Sequence, residues 1–166
     1  MIVSNKTQEA LQHLIKYCFQ CNRNADRWVS ILAVELVCPI ASKLLHHNVA
    51  HYFPAVADEI GEKTLERYNI SVLYGETLPP IEPKHILSDI ANKFMEMGLD
   101  FQSMLIATAK IANEENDVGV YADLLNILSN YNKILEQLIL VKDKADSYTD
   151  VMSFDHDIKE FWFLGE

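Results

Sequence analysis

Glycine and proline are scarce in this chain, five of each in 166 residues. A body of many short strands needs more turn residues than that, so an all-β sandwich is excluded and long helices are favoured. Basic residues are also few: 14 Lys and Arg stand against 24 Asp and Glu, a formal net charge of −10. No Lys/Arg cluster occurs that could track a phosphate backbone, so strong duplex nucleic-acid binding is not expected. No run of about 18 apolar residues is free of charge, and no membrane span is expected. The opening residues lack a basic stretch followed by a long apolar core, so no secretory signal is read there. Three cysteines are too few, and odd in number, for a disulfide scaffold. A reducing, cytoplasmic setting is therefore the expectation. What is present is ordinary globular composition, 49% hydrophobic and 23% charged, in a length suited to one domain.

Helical periodicity fills that length. Leu11, Leu14, Cys18, Cys21, Ala25, Trp28, Leu32 and Glu35 step by three and four. They predict a first helix over 6–38, ended or kinked at Pro39. Val49, Phe53, Val56, Ile60 and Thr64 predict a second over 46–74, stopped by Gly75, with Pro54 in its first turn or at a kink. Gly75 to Pro83 carries three prolines and reads as a linker. Ile86, Ile90, Phe94, Met97, Phe101, Thr108 and Ile111 predict a third helix over 83–113. After a polar turn at Asn113–Asp117, Val120, Leu124, Ile127, Tyr131, Ile134, Leu138 and Val141 predict a fourth over 118–143. A C-terminal segment, 154–164, holds Phe161-Trp162-Phe163-Leu164 and is expected to dock on the bundle or on a neighbouring subunit. The expected fold class is all-α, a four-helix bundle in a single domain over 1–166.

Three stretches resemble the ferritin superfamily. Asn48-Val49-Ala50-His51-Tyr52-Phe53 resembles the start of the second ferritin helix. Asp58-Glu59-Ile60-Gly61-Glu62-Lys63 is similar to the Asp-Glu-Ile-Ala-Glu-Arg run of Dps proteins, the ferritin-like family that protects DNA against oxidative damage. Asn116-Asp117-Val118-Gly119-Val120-Tyr121-Ala122-Asp123-Leu124-Leu125 resembles the third turn and fourth-helix start of that family. The resemblance covers residues 10–141. It implies a ferritin-like bundle running up, down, down, up, with a long crossover between the second and third helices. It also implies a homo-oligomer that binds and oxidises iron, a ferroxidase. Asp58 and Glu62 match the family's Asp-x-x-x-Glu and would hold the metal, His51 or His47 would complete the shell, and Glu59 would assist. The chain departs from the family in its imidazoles. No Glu-x-x-His occurs, and His46, His47 and His51 lie 12, 11 and 7 residues before Asp58 rather than on the first helix. The basic DNA-binding tail is missing as well.

The residues themselves carry several readings. His51, Asp58 and Glu62 are spaced i, i+7, i+11, within about 40° of one another on a helix, and lie opposite Val49, Phe53, Val56 and Ile60. That stripe is either a solvated face or a metal site shared between subunits; Glu59, beside the core stripe, allows a site inside the subunit instead. Glu35 sits in the apolar seam of the first helix, either bound to a metal or partner or reaching solvent near Pro39. Glu96 and Asp100, spaced i, i+4, complete a site or face solvent. Cys18 and Cys21 form a C-x-x-C inside a helical stripe and read as small buried apolar residues. Asp155-His156-Asp157 reads as surface. No Ser-His-Asp or Cys-His arrangement and no Gly-rich phosphate loop is present. Two functions follow: a Dps-like iron-oxidising protectant, or a non-catalytic ferritin-like module that has lost its metal and acts in assembly or partner binding.

Overall fold

In the computed structural model, which describes residues 2–166, the first apolar stripe folds as α1 (Asn5–Val34). Ser4 caps it, its hydroxyl accepting from the Thr7 N–H at 3.1 Å. The helix ends at Val34 rather than at 38 because Val37 takes a left-handed φ of 54° and turns the chain. Pro39 then opens an element instead of closing one. It is the first residue of α2 (Pro39–Leu45), where a missing N–H leaves no hydrogen bond unmade. One π turn, His46–Ala50, joins α2 to α3 (Tyr52–Thr64), so the second rod covers 39–64 and not 46–74. Pro54 falls in the first turn of α3. The stop comes from Asn69, left-handed at φ 61° after a short 3-10 turn (Glu66–Tyr68), and not from Gly75.

The linker is correspondingly longer than the predicted 75–83: residues 70–84 run without helix or turn along α1. Amide side chains of α1 hold it. Gln12 accepts from Leu73 N–H at 2.8 Å and donates to the Ser71 carbonyl at 3.1 Å. Gln20 brackets Leu78 in the same way, at 2.7 and 3.2 Å. Asn24 accepts from Ile81 N–H at 3.0 Å, and the Trp28 indole donates to the Ile81 carbonyl at 2.7 Å. Rising numbers on α1 meet rising numbers on the crossover, so the two run parallel over the length of the molecule.

That crossover fixes the chain path. It delivers α4 (Leu87–Glu114) to the same end as α2, and α4 runs back in the direction of the second rod. A three-residue turn at 115–117 reverses the chain into α5 (Val118–Ser147). The four rods therefore run up, down, down, up. At one end Asp117 accepts from the Ser4 N–H and the Thr7 hydroxyl, and Arg67 pairs with Asp123 at 2.7 Å. At the other, α6 (Val151–Phe161) packs on α2. The molecule is all-helical, with no strand among the described residues. Its core joins Leu11, Leu14 and Trp28 of α1 to Phe53, Phe94, Phe101, Leu124 and Leu138. Each such side chain contributes about 1.5–3 kcal/mol by leaving water.

Candidate functional site

The space between the four rods is filled by aromatic rings and thiols. Phe101 meets Tyr131 at 4.7 Å between centroids, Phe53 at 5.3 Å and Tyr17 at 6.3 Å, while Tyr52 lies 5.8 Å from Tyr131. The Tyr131 hydroxyl donates to the Gly98 carbonyl at 2.5 Å. A side chain at position 98 would press on that hydroxyl at 3.3 Å and on Leu138 at 3.0 Å, so glycine is needed for the close approach. Cys18 and Cys21 are free thiols, both fully buried in this layer. Burial pushes both thiols, and the hydroxyls of Tyr17, Tyr52 and Tyr131, above their ordinary values. All five stay protonated at neutral pH, the neutral form that an apolar interior favours. The two cysteines behave as the sequence reading expected, as small core residues.

The residues singled out as metal ligands lie outside this centre. His51, Asp58 and Glu62 are exposed, and Glu59 is half-buried with its carboxylate 2.7 Å from Lys63. Glu96 and Asp100 face solvent on α4. Glu35 caps the end of α1 and reaches outward to His85 at 2.9 Å. His85 also meets Glu82 at 2.7 Å, and Arg27 grips Glu82 with two bonds of 2.6 and 3.0 Å. This exposed network fastens the end of the crossover to α1. Hydrogen bonds from Arg27 and then His85 hold the Glu82 carboxyl down at about 2, and the same carboxylate raises the His85 imidazole.

Two features escaped the sequence reading. Asp155 is not a surface residue: it is 6% exposed and accepts from the N–H groups of Ala41 at 2.7 Å and Ile40 at 3.3 Å. It caps α2 from more than a hundred residues away, and no local motif signals such a partner. The amide stripe on α1, Gln12, Gln20 and Asn24, was visible as polar residues beside the apolar seam; its repeat could have announced a bound chain. The aromatic tail docks on its own subunit. Buried Gln137 accepts from Phe163 N–H at 2.8 Å and donates to the Phe161 carbonyl at 3.3 Å.

The crossover leaves five large apolar side chains in solvent. Leu73, Tyr74, Leu78, Ile81 and Ile86 are 52–75% exposed. Beneath them, between crossover and α1, lies a cleft of about 530 Å³ walled by Tyr17, Gln20, Leu78 and Pro79. No helix among the described residues is long and apolar enough to cross a membrane. No protein-family model matches the chain, and no curated protein matches it in sequence.

Proposed function

We propose that this chain is a ferritin-like bundle without a metal centre in its interior, working as an assembly module through self-association of its crossover face. The observation that carries this reading is the filled centre. A di-metal site between four helices needs inward-facing carboxylates and imidazoles. Here Tyr17, Cys18, Cys21, Phe53, Phe101 and Tyr131 occupy that layer. The up-down-down-up path with its long crossover supports the ferritin-like class, and the missing Glu-x-x-His agrees with loss of the metal.

The exposed crossover side chains supply a surface for assembly. Five large apolar groups more than half exposed together present on the order of 500–600 Å² of apolar area along the crossover. A two-fold pairing that covered this stripe and its rim would approach the ~800 Å² per partner of a standard interface.

Light scattering on the eluting full-length chain at tens of micromolar tests the reading. A dimer or larger species is expected, and the double variant Tyr74→Glu, Leu78→Glu should run as a monomer that keeps its helical circular dichroism and melts lower, as loss of association requires. A monomeric wild type refutes it. An anaerobic Fe(II) titration separates it from the Dps-like alternative. That alternative requires stoichiometric Fe(II) binding that disappears in Asp58→Ala, Glu62→Ala; the assembly reading expects no iron oxidation.

A further inference from the structure

The amide side chains that hold the crossover on α1 leave one donor over. Gln20 spends both ends of its amide: Oε1 accepts from Leu78 N–H, and Nε2 donates to the Leu78 carbonyl and to Asn24 Oδ1. Asn24 Oδ1 also accepts from Ile81 N–H at 3.0 Å. Two donors on that oxygen fix which way the Asn24 amide faces. Its Nδ2 donates to no group among the described residues, although Asn24 is only 3% exposed. No fully enclosed side-chain nitrogen or oxygen among the described residues lacks a partner, so Nδ2 touches open space. The open space that Asn24 borders is the cleft between α1 and the crossover. Its volume of about 530 Å³ lies within the range of about 300–1,000 Å³ that small-molecule sites occupy. Tyr17, Leu78, Pro79 and Ile81 give it apolar walls, and stacking on Phe101, with the planes 16° apart, holds the Tyr17 ring in place.

We infer that this cleft binds a small uncharged aromatic molecule carrying a carbonyl oxygen, its ring against Tyr17, Leu78 and Pro79 and its oxygen accepting from Asn24 Nδ2. The walls select an apolar body. The amide selects an acceptor, because a ligand without one would strip water from Nδ2 and leave it unpaired. The charges select a neutral molecule. The charged residues that line the cleft are Lys16 and Glu76, of opposite sign and both exposed, with exposed His13 beside them. Lys16 and Glu76 cancel, and a carboxylate brought to Asn24 would meet a neutral amide in place of a cation. The cleft is built within one chain, beneath the side chains that self-association would cover, so its occupancy does not depend on the assembly reading.

Chemical-shift titration of the full-length chain with acetophenone tests the inference. Two molecules of nearly the same shape serve as comparisons: α-methylstyrene, with a methylene in place of the carbonyl oxygen, and benzoate, which adds a charge. Acetophenone should bind saturably, one per chain, and about fivefold more tightly than α-methylstyrene, the worth of one hydrogen bond. The side-chain amide resonances of Asn24 should shift as it binds, a readout that needs no variant. Asn24→Asp keeps an acceptor for Ile81 N–H and Gln20 and removes the donor. It should erase the advantage of acetophenone and leave α-methylstyrene binding unchanged. Should the variant loosen the crossover and weaken both alike, the wild-type comparison and the Asn24 resonances still decide. The inference is overturned by binding that does not saturate, by equal affinity of the wild type for acetophenone and α-methylstyrene, by an advantage that survives Asn24→Asp, or by benzoate binding as tightly as acetophenone.

Discussion

Replacing Asp155 by alanine removes a cap that α2 cannot replace locally. Cys38, at the N-cap position of α2, makes no side-chain capping bond, so the Ile40 and Ala41 N–H groups depend on the Asp155 carboxylate. Loss of an N-cap costs about 1 kcal/mol in exposed helices. Here the acceptor is 6% exposed, and water cannot readily take its place. A buried donor left unpaired costs about 1–3 kcal/mol, and the two estimates overlap, so roughly 2 kcal/mol is expected in total. For a chain of this size that lowers the melting temperature by about 4–8 °C. Asp155→Asn keeps one carbonyl oxygen and should lose about half as much. His156→Ala, at an exposed neighbour, should fall within about 0.5 kcal/mol of wild type. Circular dichroism melts and urea titrations of the three variants provide the comparison. An Asp155→Ala protein within about 0.5 kcal/mol of wild type would refute the capping role.

Val37 is a β-branched residue, 68% exposed, held at φ 54°. Val37→Asn should relieve that strain and raise stability by about 1 kcal/mol in the same melts, and a decrease would remove the strain argument. His85 gives a pH dependence. Its folded-state pKa is raised by Glu82 and Glu35, so its contribution is full below the unfolded value of about 6.5 and fades as pH rises through the folded value. The difference in melting temperature between wild type and His85→Gln should therefore shrink from pH 5.5 to 8.5, more weakly in high salt, with a flat difference counting against the clamp.

The helices that packing alone defines were legible. Three-and-four spacing located α1, α4 and α5 to within a few residues, because each buries one continuous stripe. The second rod was harder for two physical reasons. Pro39 satisfies both the end of one helix and the first position of the next, and only the turn at Val37 decides between them. Beyond Thr64, the apolar residues Leu65, Ile70, Val72, Leu73 and Tyr74 continue the appearance of a helix. From Ile70 onward they belong to an extended chain that lays Ile70 and Val72 on the core and leaves Leu73 and Tyr74 in solvent, and Asn69, not glycine, makes the left-handed exit. Periodicity reports that a segment has an apolar side; it does not report whether the backbone delivering that side is coiled.

The same limit governs the candidate site. Spacing put His51 with Asp58 and Glu62 by assuming an unbroken α-helix from 46 onward. That register holds through α3; the π turn lies before it, and its effect is to bring the rings of His46 and His47 beside that of His51. Nothing in the run His46-His47-Asn48-Val49-Ala50 announces that insertion. It arises because the rod must keep Leu44, Leu45, Val49, Ala50 and Phe53 all facing the core, a set that regular 3.6-residue spacing cannot hold on one side. Burial of the apolar residues selects the backbone irregularity, and the irregularity decides which polar side chains meet. A histidine cluster at this position is therefore a consequence of packing beneath it, and substitutions in that buried set should move the imidazoles as surely as substitutions among the imidazoles themselves.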